Sequence, residues 1–224
     1  MGKEIERKFL LDEDHAISLD SMEESELLSI HEITQVYLKE DQSVSIHVLG
    51  GDTPKWVIEK DSLRIEVSMP TEDHQQLVGL FGDNIGGDVS LEPKSAARIR
   101  FKRNFEDEKQ EVIFTYKLPG EDFAHEYEYT ITKECDIESA HAIAQDIPER
   151  VSKIRKTYQL DNHHYELDIF MGFAFILLEV EFKTVEESKN YVLKCDSTCE
   201  VTGHRAYSND SIASAVGNHL RNPN

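Results

Sequence analysis

Polar and apolar residues alternate along most of this chain, and that two-residue period predicts a protein built mainly from β-strands. Residues 126–131 alternate acids with aromatic and β-branched side chains, and residues 112–117 end a similar run in a lysine. Such compositions favour strands over helices. The pattern predicts strands near residues 3–10, 33–38, 43–49, 55–60, 63–69, 97–103, 111–117, 126–133, 151–159, 164–170 and 175–183.

Two segments follow the helical period instead of the strand period. Residues 71–81 begin directly after Pro70 and carry an apolar side, which predicts a helix. Residues 136–146 predict a second helix, with Asp136 as its N-cap. Between the strand-rich halves, the glycines and proline of residues 82–96 are typical of a loop or linker. The fold class predicted from these elements is α+β.

The first predicted strand concentrates charge on one face. Side chains in a strand alternate, so Glu4, Glu6 and Lys8 point to the same side. Two carboxylates beside an ammonium have little use in an apolar core, where an unpaired charge is costly. They suit either a wet cavity that holds a divalent cation and an anion, or a solvated outer strand face.

The same kind of charged face recurs further along the chain. Arg98 and Arg100 share one strand face, Lys117 ends another strand, and Glu179 and Glu181 repeat the acidic pair late in the chain. A set of strands whose charged faces divide into paired acids and paired bases predicts a shared interior. Rolled into an antiparallel β-barrel, these strands would enclose a tunnel with acidic and basic walls, a site for a metal-bound polyphosphate.

Composition narrows the list of partners. At 224 residues one domain with a full core is expected, with two small domains as the alternative. The formal net charge of −20 argues against nonspecific binding to nucleic acid or to anionic membranes. The acidic shell would also repel a free polyanion unless that ligand arrives with Mg²⁺ or enters a locally basic tunnel.

A cytoplasmic protein is expected from the first residues and the cysteines. A charged strand begins at Lys3 with no apolar run before it, so no signal peptide is predicted. The longest apolar run, residues 173–178, is far too short to cross a bilayer. Cys135, Cys195 and Cys199 form no zinc pattern, and free thiols in a reducing compartment are the favoured interpretation.

The order of these charged motifs resembles the CYTH superfamily, the triphosphate tunnel metalloenzymes. Similar motifs occur in the same order as Glu4-x-Glu6-x-Lys8, Arg98-x-Arg100, Lys117, Glu126-x-Glu128, Lys153-x-Arg155, Asp168 and Glu179-x-Glu181. The tail from Glu200 to Asn209 is similar to the end of the short bacterial members. The resemblance implies one tunnel domain over residues 1–224, with helices packed outside the barrel and a C-terminal helix that plugs it.

The resemblance also implies a role for each charged group, in agreement with the chemistry. The metal carboxylates are Glu4, Glu6, Asp168, Glu179 and Glu181, with Mg²⁺ or Mn²⁺ as the cofactor. The groups that grip phosphate oxygens are Lys8, Arg98, Arg100, Lys117, Lys153 and Arg155. The expected catalytic residues are Glu6, Glu128 and Lys117. A second metal ion, or a carboxylate among Glu6, Glu128 and Glu181, would orient and deprotonate the attacking water.

An imperfect internal repeat departs from the family pattern. Residues 43–81 and 97–146 share an order of strands followed by a helix, but Ser45 and His47 stand where the second copy has two arginines. Ser and neutral His cannot copy the bidentate grip of guanidinium groups on phosphate, so the second copy is predicted to line the tunnel.

Three interpretations of the first copy remain open. Residues 43–81 could be a degenerate or accessory module inserted before residues 97–216, such as a cap, an extra sheet or the surface of a homodimer. Strands of both copies could instead share one larger barrel, which would add Lys60 and Glu66 to its lining. The similarity could also be chance.

The function predicted from the sequence is metal-dependent hydrolysis of tripolyphosphate or another triphosphate-containing small molecule, such as a nucleoside triphosphate. Two alternatives remain: an adenylyl cyclase of the class IV type, which uses the same kind of tunnel, and a non-catalytic polyphosphate-binding protein.

Overall fold

A computed structural model describes residues 5–11, 26–39, 43–81, 88–91, 97–118, 125–193 and 199–222 of the chain. The strands are β1 (Ile5–Leu11), β2 (Glu26–Leu38), β3 (Val44–Leu49), β4 (Lys55–Lys60), β5 (Leu63–Ser68), β6 (Val89–Leu91), β7 (Ala97–Asn104), β8 (Gln110–Leu118), β9 (His125–Ile131), β10 (Arg150–Leu160), β11 (His163–Phe170), β12 (Ile176–Phe182) and β13 (Cys199–Glu200). The helices are α1 (Thr71–Phe81), α2 (Glu134–Gln145), α3 (Val185–Asn190) and α4 (Asn209–Arg221), and a short 3-10 helix covers Arg205–Tyr207.

Nine of the strands form one antiparallel sheet, called here the main sheet. Its order is β13-β1-β12-β11-β10-β2-β7-β8-β9. The predicted α+β class with mostly antiparallel strands is confirmed. No pairing among the described residues joins the edge strands β13 and β9, so closure of the sheet into a barrel stays a prediction.

The remaining four strands form a second sheet in the order β5-β4-β3-β6. Together with α1 they form the small module, residues 43–91 without the undescribed 82–87. The strands of residues 43–81 therefore pair with one another and with β6, while those of residues 97–146 lie in the main sheet. Lys60 and Glu66 belong to the small module and are not among the lining residues of the cavity described below.

The two sheets share one hydrophobic core. Apolar side chains from β3, β4 and β5 pack against the outer face of β7, β8 and β9, with α1 and α2 contributing to the same cluster. Trp56 of β4 is fully buried there, 5.2 Å between ring centroids from both Phe114 and Tyr116 of β8. Burial of large aromatic surfaces on both sides makes this interface a major stabilising contact of the fold.

Helix α4 packs on the opposite face of the main sheet. Its Ile212 and Ala213 are buried against Tyr37, Phe170 and Leu177. Those sheet residues lie on the face that also carries the charged side chains, so α4 covers one end of that face.

A close approach fixes the far end of α4. A Cβ atom at Gly217 would lie 2.7 Å from Oε1 of Glu149, so only glycine lets the helix come this near. Glu149 is fully buried and pairs with Arg221 of the same helix. Burial alone would raise the pKa of Glu149, but the hydrogen bond from Arg221 helps to hold that pKa below its ordinary value.

The element boundaries differ from the sequence predictions at three places. Strand β2 begins at Glu26 rather than near residue 33, and β6 lies inside the predicted linker. Helix α2 begins at Glu134 with Lys133 as its N-cap, so Asp136 is not the N-cap. Asp136 instead accepts a hydrogen bond of 3.1 Å from the backbone N–H of Glu66.

Two further observations concern the cysteines and helix length. Cys135 and Cys199 are exposed free thiols, and Cys195 lies outside the described residues. Within the part of the chain that the structure describes, no helix has the length and apolar character needed to cross a bilayer.

Candidate active site

One row of polar side chains crosses four neighbouring strands of the main sheet. Tyr37 of β2 pairs in register with Arg98 of β7, Arg98 with Thr115 of β8, and Thr115 with Glu128 of β9. Residues in register on adjacent strands point to the same face of a sheet. The alternation seen in the sequence therefore places all four on one surface.

A second row crosses the other end of the sheet. Lys8 of β1 pairs in register with Glu179 of β12, and Glu179 with Glu166 of β11. One step along the same face, Glu6 lies opposite Glu181. This end of the sheet therefore presents mainly carboxylates.

Residues of both rows line a single cavity of about 320 Å³. For both ends of the sheet to reach it, the sheet must curl around this space, as twisted antiparallel sheets do. The described lining residues are Glu6, Lys8, Gln35, Tyr37, Arg98, Arg100, Lys117, Glu128, Arg155, Glu166, Glu179, Glu181, Ser208, Asn209 and Asp210.

Arg155 is the centre of the acidic wall. Its Nε and Nη2 atoms donate to the two carboxylate oxygens of Asp168 at 2.6 and 2.7 Å, and Nη2 also donates to Glu179 at 2.9 Å. Its Nη1 atom pairs with Glu166. The planar guanidinium therefore joins three carboxylates that would otherwise repel one another.

Lys8 neutralises the same wall from β1. Its Nζ atom lies 2.5 Å from Oε1 of Glu179 and 3.5 Å from Oε1 of Glu6. Burial alone would lower the pKa of Lys8, but the charges of Glu179 and Glu6 outweigh burial and raise that pKa above its ordinary value. Likewise, burial would raise the pKa of Glu179, but Arg155 and Lys8 hold it well below its ordinary range.

Glu128 joins the basic groups on the other side of the cavity. Its Oε1 atom accepts a hydrogen bond of 3.0 Å from the Thr115 hydroxyl and lies 3.1 Å from Nη1 of Arg100 and 3.6 Å from Nη2 of Arg98. Burial alone would raise the pKa of Glu128, but the Arg100 and Arg98 charges hold it below its ordinary value. Glu128 therefore contacts both guanidinium groups.

Lys153 lies behind the cavity rather than in its lining. It is fully buried, pairs with the fully buried Asp168, and lies 3.4 Å from Oδ1 of Asn209 on α4. Burial lowers the pKa of Lys153 to about 8, and the charge of Arg155 adds to this effect. In this arrangement Lys153 supports Asp168 and the start of α4.

The predicted metal carboxylates fall into two groups. Asp168 and Glu179 are held by Arg155 together with Lys153 or Lys8, whereas Glu6 and Glu181 lie side by side on neighbouring strands. Within the described ranges, no group of three or more His, Cys, Asp and Glu residues is arranged to hold a metal ion. Glu4 lies outside the described residues.

Most of the predicted site residues share this one cavity. The cavity lining includes Glu6, Lys8, Arg98, Arg100, Lys117, Glu128, Arg155, Glu179 and Glu181. Asp168 contacts the lining through Arg155, and nothing is described of the Glu126 side chain.

Six lining residues were not singled out from the sequence. They are Gln35, Tyr37, Glu166, Ser208, Asn209 and Asp210. Alternation could have found the first three, because Gln35 and Tyr37 share a strand face and Glu166 lies two residues before Asp168. The other three lie at the start of α4, and only the tertiary packing of that helix brings them to the cavity.

Comparison with known proteins gives structural neighbours and nothing closer: no protein-family model and no curated protein matches the chain. The inorganic triphosphatase NE1496 superposes with a TM-score of 0.46 at 20% identity, over 95% of this chain and 95% of that one. The PH1819 protein of Pyrococcus horikoshii OT3 gives a TM-score of 0.46 at 16% identity, over 82% of this chain and 81% of that one. A Vibrio parahaemolyticus protein provisionally assigned as an adenylate cyclase gives 0.39 at 14% identity, over 83% and 79%.

Proposed function

We propose that this protein is a divalent-metal-dependent hydrolase that cleaves tripolyphosphate or another triphosphate-containing substrate. The observation that carries the proposal is the cavity itself, in which a wall of carboxylates faces a set of guanidinium and ammonium groups. Phosphoryl transfer needs both kinds of group, because it depends mainly on positioning the substrate and neutralising its charge.

The balance of charge in the cavity favours a ligand that arrives with a cation. The described lining has five basic residues and six acidic ones, so the empty surface is not strongly positive. A polyphosphate alone would be repelled by the acidic wall. A divalent cation bound to that wall would offset its negative charge, and the basic residues would then attract the phosphate chain.

Glu6 and Glu181 are the residues that would hold such a cation. Two carboxylates directly opposite each other on paired strands repel, and a divalent ion between them would remove that cost. Mg²⁺ is usually bound by one or two carboxylates, with water and substrate phosphate completing its shell, so this donor pair fits Mg²⁺ or Mn²⁺. Held by Glu6 and Glu181, such an ion would supply the positive charge that offsets the negative charge of the phosphate oxygens. Glu4, Glu179 and Asp168 remain predicted further ligands.

The basic residues would hold the phosphate chain. Arg98 and Arg100 lie side by side on β7, and their planar guanidinium groups suit the bidentate binding of phosphate oxygens. Lys117 on β8 lines the same wall and would neutralise a further oxygen. Lys8 would contact both the phosphate chain and the acidic wall, because its ammonium group already lies between Glu6 and Glu179.

The reaction would be attack of a water molecule on the terminal phosphorus. The new P–O bond forms as the bond to the remaining pyrophosphate breaks, and orthophosphate and pyrophosphate leave. A carboxylate among Glu6, Glu128 and Glu181 would orient this water and accept its proton. Arg98, Arg100 and Lys117 would stabilise the transition-state charge on the transferred group.

The lining favours a compact inorganic substrate over a nucleotide. Its described side chains are charged or polar, and Tyr37, the aromatic among them, is 4% exposed. Charged walls match phosphate oxygens, whereas a nucleobase gains most from stacking on apolar or aromatic surfaces. Tripolyphosphate is therefore the first substrate to test.

The proposal includes a closed tunnel. The strands of the main sheet would complete a barrel around the cavity, and α4 would plug one end, since Ser208, Asn209 and Asp210 line it. The working domain would then span residues 1–224, with the small module as an accessory unit.

The experiment that tests the function is release of orthophosphate from tripolyphosphate with Mg²⁺, with Mn²⁺ and with a chelator. Glu6→Gln is the test variant, and Glu138→Gln, an exposed acid on α2, is the control for loss of one charge. We expect metal-dependent release that Glu6→Gln abolishes and Glu138→Gln leaves unchanged. ATP is assayed in parallel, and formation of cyclic AMP and pyrophosphate from it would identify a cyclase. Binding of tripolyphosphate without turnover identifies a binding protein instead.

A further inference from the structure

The polypeptide chain leaves the main sheet to form the small module and returns to the sheet at the same point. Strands β2 and β7 are neighbours in that sheet, and Leu38 at the end of β2 pairs with Ala97 at the start of β7. Everything between these two residues is therefore an insertion into a β-hairpin. Its position raises the question of what the module contributes to the sheet that carries it.

Strand β9 is where the module meets the candidate active site. It is an edge strand among the described pairings, with β8 on one side only. Its side chains alternate: Glu128 faces the cavity, whereas Tyr127 and Tyr129 face the small module.

Helix α1 of the module holds both tyrosines. The hydroxyl of Tyr129 donates a hydrogen bond of 2.5 Å to Oδ2 of Asp73, and that of Tyr127 donates one of 3.2 Å to Oε1 of Gln76. Burial and the Asp73 hydrogen bond both raise the pKa of Tyr129, so this phenol keeps the proton that it donates. Trp56 lies against both rings, with centroid distances of 6.3 and 6.4 Å.

A second contact fixes the helix that follows β9. Asp136 in the first turn of α2 accepts the backbone N–H of Glu66, which belongs to β5 of the module. The module therefore holds both β9 and the start of α2.

On its other face, β9 contacts the arginines of the cavity through Glu128. Glu128, between the two tyrosines, contacts Arg100 and Arg98 as well as the Thr115 hydroxyl. A shift of β9 would move the Glu128 carboxylate and so change its contacts with both guanidinium groups.

We propose that the small module braces strand β9 and thereby positions the phosphate-binding arginines, with Asp73 and Tyr129 as positioning residues that act through Glu128. This inference rests on the proposed function, because it assumes that Arg98 and Arg100 bind a phosphate chain. It gives the inserted module a role in ligand binding although its own residues do not line the cavity.

The test measures the Kd of tripolyphosphate by calorimetry in the presence of Mg²⁺, and KM and kcat wherever turnover is found. Tyr129→Phe removes the donor and Asp73→Ala removes the acceptor. Each should raise Kd about fivefold, the effect of one net hydrogen bond, and should lower kcat/KM by at least as much, because the same arginines also bind the transition state. Asp73→Asn keeps an acceptor oxygen and should restore Kd to within about twofold of the unmodified protein.

A double-mutant cycle shows whether the effect passes through Glu128. With Glu128→Gln in the background, Tyr129→Phe should change Kd by less than about twofold, because the carboxylate it positions has already been lost. Additive effects would mean that Tyr129 acts by another route and would overturn the proposal.

Ile46→Val controls for a general loss of stability. It removes one methylene group from the fully buried core of the module at a similar cost in unfolding free energy, and it leaves the α1 contacts intact. Its Kd should stay within about twofold of the unmodified protein. An equal rise in Kd for this variant, or no rise for folded Tyr129→Phe and Asp73→Ala, would overturn the brace alone. If the unmodified protein does not bind tripolyphosphate, the proposed function fails and the brace fails with it.

Discussion

Two strands with nearly the same sequence pattern lie in opposite environments. Arg64-Ile65-Glu66 on β5 and Arg98-Ile99-Arg100 on β7 each place charged side chains on one face and an apolar residue on the other. The Arg64 side chain is 45% exposed, whereas those of Arg98 and Arg100 are 9% and 19% exposed. Alternation thus fixes which residues share a face, but the burial of that face depends on the elements opposite it.

The ion pairs of the two regions differ in the same way. On the small module, Arg64 pairs with Glu59 and with Glu66, all at the surface. In the cavity wall, Arg155 pairs with Asp168, which is fully buried, and with Glu179, which is 7% exposed. Exposed pairs contribute little to stability, but removal of one partner from a buried network leaves uncompensated charge.

The largest effect should follow from removing the centre of the buried network. Arg155→Met leaves Asp168, Glu166 and Glu179 without their shared cation, and should lower the free energy of unfolding by about 3–5 kcal/mol. Urea unfolding measures it. A loss below about 1 kcal/mol would show that this wall behaves like the surface of the small module.

The next effect concerns activity. Arg100→Ala should lower kcat/KM for tripolyphosphate about 10²–10³-fold, because it removes a positioned donor from the transition state. Arg64→Ala, the matching change on β5, should leave kcat/KM unchanged. Steady-state kinetics with both variants tests whether the shared pattern carries different functions. An equal fall in kcat/KM for both variants would contradict the proposed difference in function between β5 and β7.

A smaller effect should appear in the pH dependence of stability. The pKa of Glu179 is lowered from 4.5 by Arg155 and Lys8 in spite of burial, so its charge stabilises the fold above pH 4.5 and that contribution is lost as the pH falls. The difference in unfolding free energy between the unmodified protein and Glu179→Gln, about 1–3 kcal/mol at pH 7, should therefore shrink in acid.

Glu66 is the matched control for this pH experiment. Hydrogen bonds from Lys55 and Arg64 lower its pKa too, but at the surface of the module. Glu66→Gln should show almost no pH-dependent difference when both variants are unfolded in urea at pH 7 and at pH 3. A dependence as large as that of Glu179 would mean that burial is not what separates the two regions.

The smallest effect should be that of Arg64→Ala on stability. Its pairs with Glu59 and Glu66 are exposed, so the loss should be about 0–1 kcal/mol and should vanish in 1 M salt. Thermal unfolding at low and high salt measures this. A loss that survives high salt would identify packing of the arginine stem as the cause.

The sequence predicted which residues share a strand face better than it predicted how deeply each side chain is buried. Most charged residues expected in the interior line the cavity, because the period of two along a strand needs no tertiary information. Lys153 and Arg155 share a face of β10, yet one is fully buried behind the cavity and the other lines it. Asn209 at the start of α4 lies 3.4 Å from Lys153 and itself lines the cavity, and this contact with a distant helix cannot be predicted from the alternation.

The boundaries that failed also depended on distant contacts. The first half of β2 carries no clear alternation, and it is held as a strand by pairing with β10. Asp136 has the sequence context of an N-cap but serves a backbone group of β5, far away in the chain. The neighbouring residues in the sequence predict neither the pairing of β2 with β10 nor the contact of Asp136 with β5.

The pairing of Leu38 with Ala97 also has a consequence for how the chain folds. Bringing the two ends of a long unstructured segment together costs more chain entropy than closing a short turn. If the small module folds first, it brings the end of β2 next to the start of β7. The two strands can then pair, and further strands can add to that hairpin. The insertion would then act in folding as a tight turn does, so this long-range pair need not be slow to form.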